Sequence, residues 1–429
     1  MFLSGSRFPS GGPRVGIAAD DLSGSADCAV AFAGWDDVAV ALSAEDAKSA
    51  DARVLAIDAD SRWRSPAEAA ARTRGVVGAL LTWNPDILIK KTDSTLRGHV
   101  GVETAAALSC LEPASPRPFA LVVPAFPSMG RTTVGGRQLV DGVPVSETPY
   151  RETLTMRTGG DIRAILAREG IESRGIGLQA IRTGTVADLL RALERVAADS
   201  IHAVVCDAAV DDDLDRLVRA ARGLRRRVMY VGSAGLAHAI ARAEGHPGDA
   251  TSPLHLPGGC GTGPMLVLVA SRAEATRKQV DVLARQPGVE RMDIPTYELL
   301  GGAPIAAERV KTARAFLRAG RDLVLGIGEY AASASRDVDY ARALAAIAVP
   351  IAPIAAMAVA TGGDMARCLL QTMGVSRVTV LGETERGVVV SRWSGSKSGL
   401  LATKAGGFGD AGTLVRVRTW LGRGVAADC

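Results

Sequence analysis

Between Ile87 and Glu103 the chain reads ILIKKTDSTLRGHVGVE, which gathers Lys91, Asp93, Ser94, Thr95 and Arg97 behind a short apolar run. Two cations, a carboxylate and two hydroxyls at the carboxyl end of a strand can form a ligand site, because open α/β sheets bind ligands at that end. The same residues could instead cap the following helix, with the cations in water. A second acidic pair, Asp20-Asp21, closes the apolar run Val15–Ala19. A carboxylate there can orient a hydroxyl, accept its proton or hold a metal through water. Successive strand residues face opposite ways, so at most one of the two should meet a ligand while the other turns or caps the backbone, and the pair could equally form a solvated turn.

Elements that would position these groups follow from the pattern. Val15–Ala19, Val38–Leu42, Val54–Asp58, Ile87–Lys90, Ala120–Val123, Ala203–Asp207 and Val228–Val231 read as buried strands. Helices are expected from Ala26 to about Ala33, over Pro66–Leu81, from His99 onward, and over Val186–Ala197, Asp213–Leu224 and Leu236–Ala243. Strand, polar loop and helix in alternation is the grammar of a parallel sheet. Pro124–Thr148, rich in Gly, Pro, Arg and Thr, reads as a long ordered loop, a kind of segment that is usually functional.

Glu244–Pro264 is rich in Pro and Gly and marks a linker. Beyond it, Met265–Ala270, Asp322–Leu325 and Val378–Leu381 read as strands and Asp364–Met373 as a helix. Three polar or glycine-rich loops follow strands or open helices here: Ser271-Arg272, Thr361-Gly362-Gly363-Asp364, and Lys404 to Asp410. Glycine lets a backbone approach phosphate, and a helix N-terminus favours anions. Asp364 also suits a plain N-cap, and Thr158-Gly-Gly-Asp161 echoes the same turn. The predicted fold class is α/β with two domains, each a mainly parallel sheet flanked by helices. Residues 1–14 form a flexible leader, 15–243 and 265–429 the domains, and 244–264 the linker.

Composition excludes several classes. Hydrophobic residues make up 47% and charged residues 22% of the 429, which is ordinary for a globular protein. Aromatics at 4% and a net charge of +4 argue against nucleic acid. Scattered cysteines without a CxxC pair, and no apolar membrane span, point to a reducing cytoplasm and no membrane partner. The chain contains no Gly-Lys dipeptide, so a Walker-type loop is absent. Gly326-Ile-Gly328-Glu-Tyr-Ala331 matches G-x-G-x-x-A after a strand and is the best sign of a nicotinamide cofactor.

Taken together, the motifs resemble the four-carbon acid sugar kinases, a group that includes threonate, erythronate and 3-oxo-tetronate kinases. Ile17-Ala-Ala-Asp20-Asp21-Leu22-Ser-Gly24 is similar to the family's opening I-A-D-D-L-T-G. Lys90-Lys91-Thr-Asp93-Ser94-Thr95-Leu96-Arg97-Gly98 resembles K-K-x-D-S-T-L-R-G. Pro124-Ala-Phe-Pro127, Gly130-Arg131-Thr132-Thr133, Gly142-Val-Pro144 and Gly232-Ser-Ala-Gly-Leu-Ala237 extend the match.

The resemblance implies a kinase whose N-terminal domain binds the acid sugar and whose C-terminal domain binds ATP without a P-loop. ATP contacts would fall on Ser271, on Thr361, Gly362, Gly363 and Asp364, and on Gly406. The chain departs from the family's S-G-S at Val269-Ala270-Ser271 and from its K-S-G-N-F-G at Lys404–Gly409. On this reading Arg97 and Arg131 clamp the substrate carboxylate, and Asp93 and Ser94 bond its hydroxyls. Asp20 or Asp21 orients or deprotonates the acceptor, Mg²⁺ accompanies ATP, and the two domains close about the linker. The alternatives are a non-catalytic acid-sugar sensor and a nicotinamide-dependent oxidoreductase. Oligomeric state and the particular acid sugar are left open.

Overall fold

Apolar runs buried along all or nearly all of their length build most of the first sheet, as expected for strands covered on both faces, while its edge strand Ser173–Ile176 is largely exposed. In a computed structural model, residues 12–35, 37–47, 51–111, 118–152, 158–196, 201–245, 263–299, 303–328, 337–394 and 398–423 are described. The chain divides into two compact units, Met1–Asp249 and Ala250–Cys429. Most of the linker, and the end of the G-x-G-x-x-A match from residue 329, lie outside the described residues.

The first unit contains β1 (Val15–Ala19), β2 (Val38–Ala41), β3 (Val54–Asp58), β4 (Ile87–Lys91) and β5 (Phe119–Val123). After these come β6 (Arg131–Val134), β7 (Arg137–Val140), β8 (Val143–Pro144), β9 (Ser173–Ile176), β10 (Ala203–Cys206) and β11 (Val228–Gly232). Eight of the strands pair in parallel in the order β2-β3-β1-β4-β11-β5-β10-β9. The chain leaves β1 toward β2 and β3 but places β4 on the other side. The β1/β4 crevice is therefore the topological switch point, where such sheets bind ligands.

Two expectations need correction. The helix after β1 is Leu22–Ala29, starting four residues early, because the Asp21 carboxylate caps it by accepting from Gly24 N at 2.9 Å. The expected loop over Pro124–Thr148 contains the antiparallel meander β6-β7-β8. Its turns are Gly135-Gly136 (φ +61°, +72°) and Asp141-Gly142 (φ +50°, +81°), which match two-residue type I′ hairpins. Gly-Gly and Asp-Gly between β-forming residues were the overlooked signal.

The second unit contains β12 (Met265–Val269), β13 (Val289–Ile294), β14 (Asp322–Ile327), β15 (Met357–Thr361), β16 (Arg377–Glu385), β17 (Val388–Trp393) and β18 (Gly399–Lys404). The sheet order is β13-β14-β12-β15-β18-β17-β16, parallel except that β17 runs antiparallel to both β18 and β16. Here the switch point is β12/β15. Gly326 lies inside β14, so the G-x-G-x-x-A match begins in a strand, where the fingerprint needs a turn.

Candidate functional site

The chain after β3 keeps running beside β1: Ser61 N and Arg62 N donate to the Asp20 carbonyl at 3.0 and 3.2 Å. That pairing aims Arg62 back across the switch point. Its Nε donates to Asp20 Oδ2 at 2.6 Å, and Nη1 and Nη2 donate to the two Asp21 oxygens at 2.7 and 2.8 Å. Nη2 also lies 3.8 Å from Asp93 Oδ1. Asp93 accepts from Arg97 Nε at 2.8 Å and Nη2 at 2.7 Å, and from the Thr95 amide at 3.2 Å and hydroxyl. Asp20, Asp21 and Asp93 thus face Arg62, Lys91 and Arg97, a formally balanced cluster. Balance is what makes buried charge tolerable.

Burial opposes ionisation of Asp20, yet Arg62 and Lys91 outweigh it and hold the carboxyl below its ordinary range. For Asp93, burial is likewise overridden, chiefly by Arg97, and its pKa falls well below the usual value. Lys91 is pushed up: burial opposes its charge, but Asp20, Cys28 and Asp21 together outweigh it. Asp20, Asp93 and Lys91 are therefore all charged throughout the neutral range.

A buried brace lies beneath it. Lys90 Nζ pairs with Glu103 at 2.7 Å and donates to the Lys91 carbonyl at 2.6 Å, while the Ser61 hydroxyl donates to Glu103 at 2.6 Å. One carboxylate thereby fixes both the end of β4 and the residue before Arg62. Sequence reading missed Arg62, Ser61, Lys90 and Glu103. The acidic, Arg-containing stretch behind β3 was the available signal, but its partners lie some forty residues away.

The β6-β7 hairpin is pinned to the same end of the sheet. Gln138 accepts from the Thr133 hydroxyl and donates to the Ser94 carbonyl, both at 2.7 Å. Asp207, just past β10, accepts from Gly135 N and Gly136 N at 2.8 Å each. Arg131 is buried at the start of β6, with Nη1 donating to the Met129 carbonyl. Behind it, a Cβ on Gly235 would stand 2.7 Å from the Ala125 carbonyl, so the Gly232–Ala237 turn needs glycine there to pack on Pro124–Pro127.

The structure therefore gathers Asp20, Asp21, Asp93 and Arg97 into one network and ties Ser94 to the hairpin that carries Arg131. Asp21 has both oxygens taken, by Arg62, Gly24 N and the Ser23 hydroxyl. Asp93 is occupied by Arg97 and Thr95. Arg97 is 26% exposed, its guanidinium lies 5.5 Å from the Tyr150 ring, and its Nη1 makes no hydrogen bond within the described residues.

In the second unit, Ser271, Thr361–Asp364 and Gly406 follow neighbouring strands β12, β15 and β18. The Thr361 hydroxyl donates to the Leu268 carbonyl at 3.2 Å, and Gly362 N donates to the Lys404 carbonyl at 2.8 Å. Gly362 takes φ +94° at the start of the helix Gly363–Thr372. Asp364 lies inside that helix and is not its cap, whereas Asp161 does cap its own by accepting from Ala164 N at 3.1 Å. A Cβ on Gly406 would stand 2.4 Å from Ser271 Oγ. A cavity of about 660 Å³ opens beside Ser271, lined also by Arg277, Arg291, Asp293, Gly326 and Gly328. That volume suits a small-molecule ligand.

Lys404, fully buried, donates to the Ala405 and Phe408 carbonyls at 3.0 and 3.1 Å, and burial lowers its pKa to about 8. Cys28 is buried, and its thiol is pushed up to about 12, which leaves it unreactive. Among the described residues no helix is long and apolar enough to cross a membrane.

Residues 15–240 match the sugar-binding N-terminal domain model, and residues 266–414 match the nucleotide-binding C-terminal domain model. A D-threonate kinase of Bordetella bronchiseptica is 38% identical over 95% of this chain and 97% of its own. A D-threonate kinase of Cupriavidus necator is 36% identical over 93% and 95%. A crystal structure from Salmonella typhimurium LT2 shares the fold at a TM-score of 0.75 and 18% identity, covering 94% of this chain and 98% of that one. With both halves matched in order and relatives aligned nearly end to end, this chain belongs to the four-carbon acid sugar kinase family.

Proposed function

We propose that this protein transfers the γ-phosphoryl group of ATP to the terminal hydroxyl of a four-carbon acid sugar. The observation that carries the reading is the balanced ion cluster at the β1/β4 switch point, where one oxygen of Asp20 is left without a hydrogen bond. Phosphoryl transfer asks mainly for positioning and charge neutralisation, and a rigid cluster of this kind supplies both. Arg97, held in orientation by Asp93, offers Nη1 to the substrate carboxylate, and Arg131 is its candidate second donor. Ser94, whose hydroxyl has no partner within the described residues, bonds a chain hydroxyl. Asp20 orients the acceptor, since Asp21 is committed to Arg62 and to its helix.

ATP would occupy the second unit, with its phosphates near Ser271, the Thr361–Asp364 turn and Gly406, where glycine and a helix N-terminus favour anions. Mg²⁺ would arrive with the nucleotide, held largely by phosphates and water. Among the described residues no cluster of three or more His, Cys, Asp or Glu side chains could cage it. It would neutralise phosphate charge.

The test is ADP release from ATP-Mg over a panel of D-threonate, D-erythronate and 3-oxo-tetronates, with the product identified by ³¹P NMR. One tetronate is expected to give a phosphate monoester at its terminal carbon. Tight tetronate binding with no ADP release over the whole panel would establish a sensor in place of a kinase.

A further inference from the structure

The cluster contains two buried groups of opposite charge that pair without a hydrogen bond between them. Asp20 is 2% exposed, and while its Oδ2 is held by Arg62, its Oδ1 has no hydrogen-bond partner. Lys91 is 4% exposed, and its Nζ makes no hydrogen bond within the described residues. The two atoms face each other at 4.0 Å, too far for a direct hydrogen bond. An oxygen about 2.8 Å from each would bridge them. Lys91 Nζ also sits where only glycine leaves room, since a Cβ on Gly24 would stand 2.7 Å from it. The preceding lysine shows that the fold can satisfy a buried ammonium: Lys90 has both Glu103 and a carbonyl. The Lys91–Asp20 ion pair, held short of hydrogen-bond contact with a buried carboxylate oxygen unpartnered, is built to take a bridging oxygen.

We propose that Lys91 Nζ and Asp20 Oδ1 together seat the acceptor hydroxyl, the ammonium donating to its oxygen and the carboxylate accepting its proton. This rests on the kinase reading above. As the hydroxyl oxygen bonds to the γ-phosphorus, the bond from that phosphorus to the β–γ bridging oxygen breaks. ADP leaves with the electron pair, and the hydroxyl proton passes to Asp20 Oδ1 and then to water when product departs. Lys91 keeps its proton and offsets the negative charge gathering at the acceptor.

The experiment compares calorimetric binding of the unphosphorylated acceptor tetronate (D-threonate as first probe) with that of its 4-deoxy analogue, in wild type, Lys91→Met, Asp20→Asn and the double variant. Wild type should lose about tenfold or more in affinity when the hydroxyl is missing. Both single variants should bind the two ligands almost equally, with kcat down about 10²- to 10⁴-fold. Groups acting on one hydroxyl are non-additive, so the double variant should be no slower than the worse single. It also removes both charges as a neutral pair, which guards against misfolding of Lys91→Met, and thermal melts with ATP titration check the fold. A Lys91→Met enzyme that discriminates like wild type, or losses that multiply, would overturn the role of Lys91. A wild type that phosphorylates no tetronate would overturn the kinase reading, and this inference with it.

Discussion

The two units begin with the same wiring and line it with different chemistry. The parallel order β2-β3-β1-β4 in the first corresponds strand for strand to β13-β14-β12-β15 in the second. Each turns its switch point toward a candidate site. At β1/β4 the crevice is built from charged side chains that meet over long sequence separations. At β12/β15 it is built from backbone: a glycine at φ +94°, a glycine pressed on Ser271 Oγ, and main-chain contacts between neighbouring strands. A small hydroxy acid presents few atoms, so rigid side-chain forks must distinguish them. Phosphates present many equivalent oxygens, which peptide N–H groups can approach only where Cβ atoms are missing.

Buried lysines sharpen the contrast. Lys90 is neutralised by Glu103 at 2.7 Å, whereas Lys404 has two neutral carbonyls and is pulled down to about 8. The first unit balances charge with charge. The second carries an ammonium at an energetic cost.

The comparison can be broken most forcefully at Arg62. Arg62→Met leaves Asp20, Asp21 and Asp93 short of their shared cation, and losing one partner of a buried charge network costs about 3–5 kcal/mol. The first unit should melt early and tetronate binding should vanish, while ATP titration of the second unit stays near wild type. Next comes Gly406→Ala, whose methyl must displace Ser271 Oγ from 2.4 Å. ATP affinity should fall about ten- to hundredfold, roughly one to three kcal/mol, with tetronate binding unchanged. Arg97→Ala should do the reverse, raising the tetronate KM about tenfold and leaving ATP binding intact. Equal effects on both ligands from either variant would dissolve the division of labour.

The pH response should also differ between the units. Lys404 has a folded pKa below its unfolded value of 10.5, so between about pH 8 and 10.5 the unfolded chain holds more protons and stability rises with pH. Denaturant melts of Lys404→Met should lack that rise. Asp93 has the opposite window: its folded pKa lies below 3.8, so its contribution is complete above that value and is lost as pH falls further. The smallest effect belongs to Gln138→Ala, which frees the β6-β7 hairpin from Ser94. A few-fold rise in tetronate KM is expected, at a stability cost of about 1 kcal/mol.

Much of this was legible in the chain itself. Strands that are apolar at every position, a Pro66-led helix, the Asp93–Gly98 motif and the glycine turns of the second half all declare themselves within a few residues. Capping, turn geometry and hydrophobic period are near-neighbour effects, so they can be read locally. The meander was equally local, and its Gly-Gly and Asp-Gly turns were simply passed over. The choice between Asp20 and Asp21 was not legible. It depends on Arg62, 42 residues from Asp20, and that contact exists only because β3 lies parallel beside β1. Arg97 likewise read as a free anion clamp until Asp93 was found holding two of its nitrogens. Sequence alone determined which residues stand at the carboxyl ends of strands. Tertiary structure decided which of them are spent on one another and which remain open, because ion pairs follow from sheet order and register.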